Sequence, residues 1–237
     1  MDRPLSVGLV SPGWPPSATH NGIVTYVGNL RPGLERAGVG VTILTSALAP
    51  GADRSDVVLA DSHPPRALRA VLRASSERLP FDTTGLLLAL PLARVANDLR
   101  ARTHLDLLEM EETFGAARYV QRMTEVPVVV RLHGPHFLHA PIVGAAIDPR
   151  IARAERRCVA EAAGITAPSR DVLERVRREY QLPLADAVVI PNPAPLVPPE
   201  RRWSLQASDR KSILAASRTL RRPSGVVHRP TRSCSHV

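Results

Sequence analysis

One stretch near the start of the chain, Pro4 to Thr45, constrains the fold more than any other. It reads PLSVGLVSPGWPPSATHNGIVTYVGNLRPGLERAGVGVTILT. Leu5, Val7, Leu9 and Val10 make a short apolar run that suits a buried strand and ends in the turn-rich SPGWPPSATHNG. From Ile23 the apolar spacing becomes three and four, through Tyr26, Val27, Leu30 and Leu34, which is one face of a helix. Gly38 and Gly40 close that helix, and Val39, Val41, Ile43 and Leu44 form a second strand-like run. A crossover through a helix makes the two strands parallel, so the stretch is one βαβ unit. The long loop after the first strand then lies at the carboxyl edge of the sheet. It brings Asn21 and Gly22 to the helix N-terminus, where main-chain N–H groups and the helix dipole favour an anion. Gly22 carries no Cβ, so a ligand can approach the main chain there, and the same two residues also suit a tight turn.

The alternation continues along the chain. Asp56 to Ala60 is an expected third strand, and Pro64-Pro65 opens a helix through Leu68, Val71, Leu72 and Leu79. A further helix is expected from Thr84 to about Arg102, kinked or split at Pro91. Leu105 to Met110 reads as a strand, Thr113 to Thr124 as a helix, and Pro127 to Leu132 as the clearest internal strand, leading directly into His133-Gly134-Pro135-His136. A loop with Pro141 and Gly144 gives way to Asp148-Pro149, an N-cap with proline at the first helical position, and a helix running to Ala163. Gly164 to Pro168 is a short strand, Ser169 caps a helix with Val172, Leu173, Val176 and Tyr180 on one face, and Ala187 to Ile190 is the last strand. Strands alternating with helices over positions 1–190 imply an α/β fold, a Rossmann-like doubly wound parallel sheet of six or seven strands.

The net charge of +9 suggests nucleic acid until its distribution is followed. Seven basic residues and no acidic one lie from Arg210 onward, so positions 1–209 carry 24 basic against 22 acidic residues. The basicity belongs to the end of the chain, and aromatic residues, at 3%, supply no stacking platform for single-stranded nucleic acid. Cys158 and Cys234 are far apart and lack a C-x-x-C partner, which excludes a disulfide framework and a zinc site and makes a reduced, cytoplasmic setting the expectation. The most apolar stretch, Leu86 to Ala93, is too short to span a bilayer, which leaves peripheral contact with the inner membrane surface open.

His133 is the strongest single candidate. It follows a buried-looking strand and precedes Gly134, so its imidazole is expected in the crevice at the carboxyl edge; a histidine bonded to a neighbouring loop is the competing reading. Glu109, Glu111 and Glu112 gather where another strand ends, which suits acid/base work, a solvated strand end or a cap for the next helix. His136 and His139 share no carboxylate or cysteine at a familiar spacing with His133, so no metal and no other cofactor is expected. The G-x-G-x-x-G fingerprint, the P-loop and the G-x-S-x-G elbow are all absent from the sequence.

Four segments together resemble the N-terminal domain of the retaining GT-B glycosyltransferases, the large family that includes glycogen-synthase-like and mannosyltransferase-like enzymes. They are NGI-x-TYV-x-NL (Asn21 to Leu30) followed by AGVGVTILT, VPVVVRLHG (Val126 to Gly134), ERRCVAEAAGITAPS (Glu155 to Ser169) and VVIPNP (Val188 to Pro193). The resemblance implies two Rossmann-like domains facing each other across a cleft, the N-terminal one binding mainly the acceptor. It implies a nucleotide-sugar donor, a sugar or lipid-linked acceptor, and a hexosyl group transferred with retention. By the same resemblance His133 stands near the transferred sugar as the catalytic position, with Asn21, Gly22, Thr25, Gly134, Glu109 and Ser169 along the donor-phosphate and acceptor side. The family usually has two glycines where this chain has Asn21-Gly22.

The expected organisation is a Rossmann-like domain over 1–195, a proline-rich linker over 196–210 and a basic tail over 211–237. The family's glutamate pair eight positions apart has no counterpart, and Ser212 to Ala216 resembles only the opening strand of a second domain. The chain is therefore expected to be the N-terminal half of a transferase, inactive alone. Beyond Leu214 the tail has no acidic residue and no period, and one lysine stands against thirty arginines in the whole chain, which suggests a stretch read out of frame from GC-rich codons. The alternative from another class is a non-catalytic nucleotide- or sugar-binding module, or a basic-tailed nucleic-acid binder.

Overall fold

The computed structural model describes residues 3–60, 67, 70 and 83–194. The expected helix after Pro64-Pro65, the linker over 196–210 and the tail over 211–237 lie outside the described residues. Seven strands form one parallel sheet: β1 (Ser6–Ser11), β2 (Gly40–Thr45), β3 (Val57–Leu59), β4 (Leu107–Glu111), β5 (Val128–Arg131), β6 (Gly164–Ala167) and β7 (Val188–Val189). Their order is β3-β2-β1-β4-β5-β6-β7, so the winding reverses between β1 and β4. At such a switch point the loops above two adjacent strands run to opposite sides and leave a crevice at the carboxyl edge.

Side-chain alternation divides the core. Val7, Leu9, Val41 and Ile43 pack against Tyr26 and Val27 of α1 (Gly22–Arg36) on one face. Leu108, Met110, Val128 and Val130 point to the other, where they meet Ala89, Leu92 and Ala96 of α2 (Thr83–Thr103) and Ala117 and Val120 of α3 (Ala116–Met123). Cys158 and Val159 of α5 (Pro149–Glu161) and Leu173, Val176 and Tyr180 of α6 (Arg170–Tyr180) extend that second cluster. Helices thus cover both faces, the expected doubly wound arrangement. Among the described residues no helix is long and apolar enough to cross a membrane.

The caps follow the expected chemistry. The Ile23 N–H donates to Asn21 Oδ1 at 2.8 Å, the Arg150 N–H to Asp148 Oδ1 at 2.8 Å, and the Val172 N–H to Ser169 Oγ at 3.2 Å. α2 is one helix that runs through Pro91 rather than splitting there. Proline lacks the N–H that would bond the Leu87 carbonyl, and the packing of Ala89, Leu92 and Ala93 against the sheet holds the helix across that gap.

Two local expectations fail. The segment holding Pro141, read as loop, forms a short helix, α4 (His136–Ile142), capped by Pro135, and the glycine beyond it, Gly144, takes φ 72° to turn the chain. The helix expected from Thr113 starts as a tight 3-10 turn over Thr113–Gly115 and becomes α-helical only at Ala116. Phe114 at φ 53° and Gly115 at φ 65° are both left-handed, which breaks the helix. Gly85 of α2 makes room for this turn, because a Cβ built there would stand 2.2 Å from the Phe114 carbonyl oxygen. Gly85→Ala is therefore expected to destabilise the fold by about 2–3 kcal/mol, read as a lower urea midpoint, since the obstacle is backbone that cannot step aside.

Candidate functional site

A cleft of about 930 Å³ opens at the carboxyl edge of the sheet above the β1/β4 switch point. Its lining includes Ser11 at the end of β1, Asn21 and Gly22 at the start of α1, Glu111 at the end of β4, and His133 and Gly134 just after β5. Asn21-Gly22 and His133-Gly134, two pairs more than a hundred residues apart in the chain, are thus brought together. A Cβ added at Gly22 or at Gly134 would meet nothing within 4 Å. At both positions the main chain is bare toward open space, which lets a ligand come close to its amides.

Three sequence-derived candidates do not line the cleft. Thr25 is exposed on α1 and its hydroxyl donates to the Asn21 carbonyl at 3.1 Å. Ser169 is occupied as the cap of α6. Glu109 alternates onto the α1 face of β4, where the Tyr26 hydroxyl donates to its Oε1 at 2.8 Å. None of the three neighbouring glutamates is a solvated strand end, because Glu111 accepts from the Thr113 hydroxyl at 2.7 Å and Glu112 is buried at 1% exposure.

Glu112 holds the histidine loop from below. The His133 N–H donates to its Oε2 at 3.0 Å and the Gly134 N–H to its Oε1 at 2.8 Å. Burial pushes its carboxyl up to about 7, the two amides pull it back toward the ionised form, and the neighbouring Glu155 raises it again. Glu155, from α5, serves the next part of the same loop: it accepts from the His136 N–H at 2.8 Å and from the Tyr180 hydroxyl at 2.9 Å, and its carboxyl is likewise pushed up to about 7 by burial. The Phe114 main-chain amide also draws the Glu155 carboxyl back toward the ionised form.

On the other face of the sheet Arg131, 1% exposed, sets the surroundings of the imidazole. Its guanidinium lies over the Tyr26 ring at 4.9 Å, and its Nη2 donates to the Ile190 carbonyl at 2.7 Å and to Asn192 Oδ1 at 2.6 Å. Nε and Nη1 have no hydrogen-bond partner among the described residues, and the face of the Tyr26 ring takes their place. The edge of the same tyrosine meets the His133 ring, with centroids 4.8 Å apart. Burial, and then the charge of Arg131, lower the His133 pKa to about 4. His133 is neutral throughout the physiological range, able to accept or donate one hydrogen bond at each ring nitrogen.

Sequence reasoning missed Tyr26, Arg131 and Asn192 as parts of the site, together with the clamping role of Glu112 and Glu155. The signals available were an arginine inside an otherwise apolar strand and a glutamate on the inner face of an amphipathic helix, both of which demand a buried partner.

The lowered His133 pKa has a sign that can be measured. Its neutral form stabilises the fold fully above the unfolded value near 6.5, and that contribution is lost as pH falls toward about 4. Glu112 and Glu155, raised instead, act in the opposite sense, but they are common to a variant that changes His133 alone. Urea unfolding at pH 7 and pH 4 should show His133→Gln losing less stability than the wild type, by up to about 3 kcal/mol.

The fold recurs in known proteins. A sucrose-phosphate synthase from Thermosynechococcus elongatus superposes with a TM-score of 0.56 at 14% identity, over 79% of this chain and 48% of that one. Arabidopsis thaliana UGT89C1 complexed with UDP gives 0.44 at 14% identity, over 92% of this chain and 64% of that one. The chain therefore spans about half the length of the synthase it matches. No curated protein matches the sequence. The profile of Glycosyltransferase Family 4 matches residues 20–196, which include every cleft residue described above from Asn21 to Asn192. With three quarters of its length inside that match, the chain belongs to Glycosyltransferase Family 4.

Proposed function

We propose that this chain is the acceptor-side half of a retaining hexosyltransferase that uses a nucleotide-sugar donor. The observation that carries the reading is the convergence of Asn21, Gly22, His133 and Gly134 on one cleft at the β1/β4 switch point. In the reaction, the acceptor oxygen bonds the anomeric carbon of the sugar as that carbon's bond to the nucleotide phosphate breaks, and the acceptor proton leaves with the nucleotide. The bare main chain at Gly22 and the start of α1 suit the donor phosphates. His133, neutral and fixed through its own amide by Glu112, suits a hydrogen bond to a hydroxyl of the transferred sugar.

Charge on the departing phosphate needs a cation or a set of donors aimed at it, an effect worth several kcal/mol of barrier. The cleft offers little of this: Arg131 is buried against Tyr26 and committed to Ile190 and Asn192. The domain organisation extends the same reading, with the acceptor-side domain over 1–195, a proline-rich linker over 196–210 and a basic tail over 211–237.

Two measurements test the proposal. The purified 237-residue chain is expected to turn over no sugar nucleotide, and turnover that disappears in His133→Ala would show the acceptor-side half to be sufficient. UDP-glucose is expected to shift the amide resonances of Gly22 and Gly134, with DNA leaving them in place. The reverse pattern, with DNA shifts that collapse between low and high salt, would favour a nucleic-acid binder and overturn the reading.

A further inference from the structure

The cleft is chemically two-sided. Its polar groups, among them Asn21, His133 and Asn192, sit along the strand ends, whereas the opposite wall is built by Leu87, Leu88 and Pro91 of α2, with Phe114 and Ile151 beside them. Leu88 is 41% exposed, a large apolar side chain left facing a cavity rather than the core. A site for free sugars would line such a wall with hydrogen-bond partners for many hydroxyls, because each unpaired polar group of a buried ligand is penalised. Those five side chains offer none, and the polar lining nearest them in sequence is Thr113 beside Phe114 and Glu155 one helical turn from Ile151.

Phe114 supplies a second, independent observation. An aromatic residue at φ 53°, ψ 13° is rare, since its Cβ crowds the main chain in the left-handed region. The neighbours accommodate the strain: Gly85 leaves space for the Phe114 carbonyl, and the Phe114 amide lies near enough to Glu155 to draw its carboxyl toward the ionised form. The following residue, Gly115, is left-handed as well, and a Cβ there would come within 2.7 Å of the Ala154 carbonyl oxygen. A buried carboxylate and two glycines are therefore arranged around one turn whose outcome is to place the Phe114 side chain in the cleft wall. Strain of this kind persists where a ligand-facing group has to be aimed.

Resting on the acceptor-side reading above, we infer that the acceptor is an apolar alcohol: one hydroxyl presented to the His133 edge, carried on a ring- or isoprenoid-sized hydrocarbon body that lies against Leu87, Leu88, Pro91 and Phe114. The volume suits it, for about 930 Å³ holds a drug-sized body together with part of a donor sugar. The polar strand ends orient the hydroxyl, and the apolar wall contributes affinity in proportion to the area it covers.

The test uses the whole chain and three probes: 2-naphthol for a flat ring, geraniol for an isoprenoid chain, and methyl α-glucoside as a polar alcohol of similar size. Binding is followed by calorimetry and by the ring resonances of Phe114 and His133. At least one apolar probe is expected to bind and shift both rings, with the glucoside at least tenfold weaker, and the stronger of the two apolar probes identifies the body as ring or chain. Leu88→Asp, at a half-exposed position that the fold tolerates, should weaken the apolar probe about tenfold, and Leu88→Met should restore it to within about twofold. Preferential binding of the glucoside, binding of none of the three, or equal binding of the apolar probe to Leu88→Asp would each overturn the inference. An apolar probe that shifts Phe114 and responds to Leu88→Asp but leaves His133 untouched would instead overturn the acceptor-side reading, because the wall would then bind without presenting its ligand to the histidine.

Discussion

Two buried carboxylates hold the site together. Glu112 and Glu155 are 1% and 2% exposed, and an ionised carboxylate at such depth is tolerated only with several donors around it. Those donors are the amides of His133, Gly134 and His136 and the hydroxyl of Tyr180. The amides are groups that the parallel sheet cannot satisfy, since the strand has ended and the helix that follows leaves its first N–H groups unpaired. The carboxylates therefore replace secondary structure at the point where the chain passes over the switch point. Because they sit on different elements, one after β4 and one inside α5, they tie the β5–α4 loop to both sides of the cleft at once. Repulsion from Glu155 adds to the burial that raises the Glu112 pKa, and repulsion from Glu111 adds to the burial that raises that of Glu155, a tension the fold accepts in exchange for a fixed histidine.

What could be read from the sequence follows from how far its interactions reach. β1, α1 and β2 were legible because they are set by residues within a few positions of one another: period-two and period-3.6 spacing, a cap at Asn21, a glycine at position 38. The place of His133 was legible too, since a residue that follows a buried parallel strand must lie at the carboxyl edge whatever the rest of the chain does. The clamps were not legible, because His133 meets a glutamate twenty-one residues away and His136 meets one nineteen residues away on another element. Glu109, Glu111 and Glu112 look alike in sequence, yet alternation sends Glu109 to Tyr26 on the α1 face, and the turn after β4 carries Glu112 inward. The helix expected from Thr113 failed for a related reason: helical propensity there is overridden by the contacts of Phe114 and Gly115 with α2 and α5. α4 was hidden by Pro141, which ordinary reading takes as a breaker but which here falls in the last turn of a helix of seven residues.

The two faces of the sheet divide the labour at the histidine. From the α2 face Glu112 fixes the position of its main chain, and from the α1 face Tyr26 and Arg131 fix the character of its ring. Arg131 also grips Ile190 and Asn192, and Asn29 donates to the Pro193 carbonyl at 3.3 Å, so the segment after β7 is fastened to the same cluster. Displacement of residues 190–193 would be felt first at Arg131, then at the Tyr26 ring it covers, and through that ring at His133.

A neutral imidazole narrows what the cleft can do. With its pKa lowered to about 4, His133 cannot serve as a cation for a departing phosphate, and protonating it would place a second positive charge beside Arg131 in a desolvated site. A neutral imidazole offers one donor and one acceptor, and for such hydrogen bonding geometry counts for more than charge. That dependence accounts for the emphasis on fixing it: a group acting through charge tolerates some displacement, whereas a hydrogen bond weakens steeply with misalignment. Glu112 beneath its main chain and Arg131 and Tyr26 beside its ring fix the histidine in place.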